Sequence, residues 1–194
     1  MSNVVKGYSR LQITLHWVSA VLVIAAFVTH EAMIAAVEAV KDGTWGGYDP
    51  AMLIHIAGGT LVFFLALWRL QVLAKRGVPP LPKDEPVVLA AISKIVKALL
   101  YLIVLVMPVS GVLHWFGGVT LARQLHVLME PVVPLAILLH FLGALYQQFW
   151  LKSGVLTRML RPEPSTADIR SDTNARTLMR SAKRLAKPTD WSKR

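Results

Sequence analysis

The sequence predicts an all-α integral membrane protein, a four-helix bundle with both termini cytoplasmic. Three observations carry that expectation. Hydrophobic residues make up 55% of the 194 residues and charged residues only 16%, with the apolar ones in long blocks instead of amphipathic stripes. A span takes roughly 20 residues, so the chain has length for about four spans and their connections. Apart from Lys41 and Arg123, every Lys and Arg lies before the first block, around the connection between the second and third, or after the fourth. Alternate connections are therefore basic, the positive-inside pattern for four spans with both ends inside. The net charge of +10 follows from that topology, and no nucleic-acid partner is expected. The third observation is the run Arg123–Leu151, long and apolar enough to cross a bilayer yet carrying His126 and His140.

The elements follow in order. Lys6 and Arg10 precede a first span from about Leu11 to Val28, which lacks an A-x-A cleavage site and is expected to stay in the mature protein. His16 lies in its first two turns. A connection of about twenty residues carries Glu31, Glu38, Asp42 and Asp49 against Lys41, and Gly46-Gly47 and Asp49-Pro50 mark the turn that ends it. The second span, Ala51 to Leu73, places His55 near the outer face, with Trp68, Arg69, Lys75 and Arg76 anchoring its inner end. GVPPLPKDEP is a stiff extended loop, because its prolines cannot propagate a helix.

The third span, Val87 to Trp115, has no interior histidine and reads as packing. Lys94 and Lys97 belong to its cytoplasmic start, and Pro108 is expected to kink it. A short connection leads to the fourth span, which holds Pro131 and Pro134 between its histidines. Residues 1–160 form one membrane domain and 161–194 a basic cytoplasmic tail. S-T-A-D at 165–168 is a helix start, and Leu178, Met179, Ala182, Leu185 and Ala186 form an apolar stripe among Arg and Lys. A short helix on the anionic inner leaflet is one reading of this tail, a solvated coil the other.

The topology assigns each histidine a depth. His126 and His140 are fourteen residues apart, a helical rise of roughly 21 Å and two heptads, so both rings leave nearly the same face at two levels. His16 shares the inner level with His140, and His55 shares the outer level with His126. Each level thus offers two imidazoles from different spans, between which a flat ligand could be clamped. Gly58 and Gly59 follow His55 by one turn and Gly143 follows His140, clearing space for a porphyrin edge. Ser19 and Ala20 follow His16 likewise, whereas His126 has Met129 and Glu130.

Zinc would want three or four ligands converging at one point. Two separate pairs suit two haem b groups, with His16, His55, His126 and His140 as the metal ligands. With no cysteine in the chain, iron–sulfur clusters and covalent haem attachment are excluded. Bis-histidine iron has no open position, which favours electron transfer over activation of a ligand. His30 and His114 read as interfacial, and Arg10 and Arg69 as anchors or partners of inner propionates.

YSRLQITLHW at 8–17, HIAGGTLVFFLALWRL at 55–70, MPVSGVL at 107–113 and HVLMEPVVPLAILLHFLGALYQQFW at 126–150 together resemble the bacterial cytochrome b561 family, as does Leu156-x-Arg158-Met159. The resemblance covers roughly residues 7–160. It implies a four-helix protein of the bacterial inner membrane with two b haems on His16, His55, His126 and His140, in contact with the lipid bilayer and the quinone pool. One family activity is oxidation of superoxide at the outer face with electrons passed to ubiquinone. Other relatives carry electrons for hydrogenases or soluble periplasmic redox proteins. Here His126-Val127 stands where the family pattern has His-Glu, and the first outer connection is acidic, which disfavours an anionic donor. The readings are therefore a superoxide:quinone oxidoreductase, an electron carrier between quinol and a periplasmic partner, or a structural membrane subunit.

Overall fold

The structure is a computed structural model that describes residues 7–80, 85–163, 174 and 177–179. Its elements are α1 (Arg10–Val28), α2 (His30–Lys41), α3 (Pro50–Arg76), α4 (Val87–Trp115), α5 (Thr120–Met129), α6 (Val132–Leu145), a π-helical turn (Tyr146–Trp150) and α7 (Val155–Leu160). No strand occurs among the described residues. Four helical runs are long and apolar enough to cross a membrane: α1, α3, α4 and Thr120–Trp150. The Cα arrangement separates Met1–Pro162 from Glu163–Arg194. The expected helix start at 165–168 lies outside the described residues, and Leu178 and Met179 are exposed.

Each span begins with its own signal. Ser9 caps α1 in a reciprocal box with Gln12, the Ser9 hydroxyl accepting from the Gln12 N–H and the Gln12 amide oxygen from the Ser9 N–H. Asp49 caps α3 through the Met52 N–H, with Pro50 in the first turn, where its missing N–H costs nothing. Helix α4 starts after Pro86 and runs unbroken through Pro108. Inside lipid these internal hydrogen bonds are obligatory, since no water is there to satisfy the backbone.

α1 packs on α3, α3 on α4, and α4 on both α5 and α6. Small side chains let the helices approach: Ser19, Gly58, Ala66, Ala122 and Ala136 are all buried. Val21, Ile24, Phe64 and Phe141 point outward and are more than half exposed, as a lipid-facing surface requires. Gln12 of α1 donates to the Gly77 carbonyl at the end of α3, and Trp17 donates to the Met159 carbonyl of α7. These bonds define the terminal end of the bundle. At the other end, Trp115 donates to the Tyr48 hydroxyl at 3.2 Å.

Two elements differ from the sequence reading. The acidic connection after the first span is helix α2, with Glu31 in its first turn and Lys41 in its last, complementing the helix dipole. It packs on α3, and Ala36 and Met52 are buried. The fourth span is interrupted at Glu130-Pro131, because Pro131 has no N–H to continue the ladder. Both residues keep right-handed helical dihedrals, so the chain holds its helical sense across the break.

Candidate functional site

His16 sits in the second turn of α1 and His140 in α6, two helices on opposite sides of a gap. Their ring centroids are 6.2 Å apart. Toward the other end, His55 of α3 faces His126 of α5 with centroids 6.3 Å apart. All four histidines thus meet in two pairs, each drawing on two spans. A metal–imidazole bond is about 2.0 Å and a ring centroid lies about 1.1 Å behind its nitrogen, so collinear ligands of one metal place their centroids about 6.2 Å apart. Both gaps match that span. Among the described residues no cluster of three or more His, Cys, Asp or Glu is arranged to hold a metal ion, and the histidines meet only in pairs.

The layer between the pairs is apolar. Val133 lies seven residues after His126 and seven before His140, and it is buried with Ile103 and Ala136 in one cluster flanked by Val23, Met107 and Ile137. The heptad relation therefore survives the break at Pro131.

Neighbours prepare the two pairs differently. His55 Nδ1 lies 2.7 Å from the Ala26 carbonyl, and His126 Nδ1 lies 3.0 Å from both the Met107 carbonyl and the Ser110 hydroxyl. A carbonyl only accepts, so Nδ1 carries the proton in each ring and Nε2 keeps its lone pair. His16 is reversed: Arg69 Nη2 donates to its Nδ1 at 3.1 Å, which puts the proton of the neutral ring on Nε2. The Arg69 guanidinium also lies 5.6 Å from the centre of the Tyr101 ring.

The glycines need redistribution. Gly58 faces α1, where an added Cβ would lie 3.8 Å from the Leu22 carbonyl oxygen, so it serves helix packing. Gly59 lines a cavity beside His55, and a Cβ there or at Gly143 would meet nothing within 4 Å. The glycine held closest to a histidine is Gly111 of α4. A Cβ there would lie 3.2 Å from His126 Cε1 and 3.4 Å from its Nδ1. The sequence reading left His126 without small neighbours because it looked along one helix; the small residue comes from across the bundle. The third span is thus more than packing, since Met107, Ser110 and Gly111 all fix His126.

A cavity of about 210 Å³ surrounds the His55–His126 pair, walled by apolar side chains of α1, α2, α3 and α4. Its polar edge lies at the α2 end, where His30 Nε2 is 3.0 Å from Glu130 Oε1. Nearby, Lys41 donates to Glu38 at 2.6 Å, and that bond together with the charge attraction holds the Glu38 carboxyl below the usual range.

The model of prokaryotic cytochrome b561 matches residues 7–162, the region that contains both histidine pairs. The chain belongs to the prokaryotic cytochrome b561 family. It is 36% identical over 162 residues to a protein of Cereibacter sphaeroides named cytochrome b562, covering 80% of this chain and 96% of that one. It is 26% identical over 178 residues to a Yersinia pestis protein named probable superoxide oxidase CybB, again over 80% of this chain and 96% of the relative. Membership in this cytochrome b561 family makes the chain a multi-pass bacterial membrane protein of the haem b, electron-transport class. The donor set agrees: paired imidazoles, an apolar cavity and no thiolate.

Proposed function

We propose that this cytochrome b561 moves single electrons across the bacterial inner membrane through two b haems, between the outer face and the quinone pool. The observation that carries the reading is the pair of imidazole gaps, 6.2 and 6.3 Å. In this reading His16 with His140 and His55 with His126 would hold the two groups. Arg10, Lys75, Arg76, Lys94, Lys97, Lys152 and Arg158 flank the spans on the side of Arg10 and Arg76, and under the positive-inside rule this reading takes that side as cytoplasmic and the α2 side as the outer face. Bound haem supplies a one-electron couple held at low reorganisation in an apolar site. The protein's own part is to fix ring orientation and exclude water. Ala26, Met107 and Ser110 hold the outer rings in the tautomer that ligation through Nε2 needs. On the inner side, Arg69 donates to His16 Nδ1, so a group held through Nε2 of His16 would require the ring's other tautomer and a different partner for Arg69. Ubiquinone is the redox partner on the membrane side.

For the outer donor, the surface favours a docked basic periplasmic protein over superoxide. Glu31, Glu38, Asp42 and Asp49 lie on the outer connection, Lys41 is engaged by Glu38, and His30 is engaged by Glu130. With Arg123 the one cation left at the cavity rim among the described residues, acids outnumber free cations on this surface, which attracts a cationic protein more than an anionic radical. The test is stopped-flow reduction of the oxidised protein by superoxide and by a basic cytochrome over a range of salt. Rates with the basic donor are expected to fall as salt rises from about 0.01 to 0.15 M, across which the screening length shrinks from about 30 to about 8 Å. Fast reduction by superoxide, with the basic donor slow at every salt concentration, would establish superoxide oxidation instead.

A further inference from the structure

The cavity around the His55–His126 pair has one polar group left unexplained. Both ring nitrogens of His114 are buried and neither has a hydrogen-bond partner. Leaving a buried polar group unpaired is costly, and native structures show few such groups. The ring lines the cavity near its α2 end, so a bound group there can satisfy it.

The charges around it indicate what kind of group. Arg123 lines the same cavity, lies within electrostatic range of His114 and of Glu38, and enters no ion pair among the described residues. The two acids on this edge are engaged, Glu130 with His30 and Glu38 with Lys41. What remains is a guanidinium fork and an imidazole N–H, both donors, at the aqueous end of an apolar pocket. That combination suits a carboxylate.

We propose that His114 and Arg123 form a carboxylate grip for the propionates of the haem held at the His55–His126 pair. The grip rests on the dihaem reading and adds to it an orientation. The haem edge bearing the carboxylates points toward the α2 end, and the apolar edge points toward Val133 and Ile103. His114 then acts as a positioning residue that ligates no iron.

The experiment follows pigment loss from the full-length protein loaded with haemin or with haemin dimethyl ester, using excess apomyoglobin as the acceptor. In the wild type, the ester is expected to leave one of the two sites about tenfold or more faster than haemin, the scale of a lost charge-assisted hydrogen bond. The double variant His114→Leu/Arg123→Gln is expected to release haemin from the His55–His126 site at that faster rate and to stop distinguishing the two pigments there. His114→Gln, which keeps a side-chain donor, is expected to retain most of the slow release and shows that a collapsed pocket is not the cause. Wild type that binds two haems without discriminating the ester, or a double variant that still discriminates, would overturn the grip. So would variants with unchanged haem release but slower reduction by superoxide, which would make the rim a site for an anionic donor. Wild type that takes up fewer than two haems strikes the dihaem reading itself.

Discussion

In His140→Ala, half of the haem is expected to be lost and transmembrane electron transfer abolished, while the haem at His55 and His126 remains. The Ala side chain leaves His16 facing a gap with no second nitrogen, since the ring 6.2 Å away is the one removed. Removing a mere hydrogen-bonding neighbour of a metal ligand costs about 10- to 100-fold in affinity, and losing the ligand itself costs more. No other histidine can substitute, because the remaining pair is separated from this level by Ile103, Val133 and Ala136. Haem counted per purified chain, with quinol-driven reduction of an outer acceptor in vesicles, reads both effects. Full haem content with both sites six-coordinate would show that the inner pairing is wrong.

Gly111→Leu is expected to empty the other site. A single added Cβ already sits 3.2 Å from His126 Cε1, so the full side chain must drive the ring off its bonds to Met107 and Ser110. The lost haem is then the one ligated by His55 and His126, and the inner haem is kept. Gly111→Ala is the graded control, since it needs His126 to move by only a few tenths of an ångström. Haem content and the visible spectrum decide the matter. If Gly111→Leu binds haem as the wild type does, the close approach of α4 does not constrain the site. The contrast with Gly58 is instructive: there a larger side chain meets the α1 backbone at Leu22 and acts on helix packing first.

These two residues show what a single sequence reveals. His140 was legible because depth along an apolar run and the heptad spacing from His126 are local properties, and Val133 midway between them is buried as that spacing requires. The spans were legible for the same reason: the third begins and ends at Val87 and Trp115 as expected, and the second extends only from Pro50 to Arg76 beyond Ala51–Leu73. Gly111 was not legible as a neighbour of His126, because fifteen residues and a turn separate them and only the packing of α4 on α5 joins them. The same holds for Arg69 on His16 and for Ser110 on His126. Helix α2 was missed for a different cause. Its acids drew attention to charge, although Ala32, Ala35, Ala36 and Ala39, with Glu31 near the start and Lys41 at the end, are good helix signals.

The inner and outer pairs also differ in a way no periodicity encodes. Carbonyls accept from the His55 and His126 rings, whereas an arginine donates to His16. That difference gives the two levels unequal electrostatic surroundings within one fold.

The central claim, two bis-histidine haems in one chain, is tested most directly by a reduced-minus-oxidised absorption spectrum of the detergent-purified protein. Haem is counted per chain, and the reduced sample is then exposed to carbon monoxide. The account predicts two b haems per chain and no carbon monoxide shift, because neither iron has an open position. One haem or none, or a shifted spectrum, would contradict it.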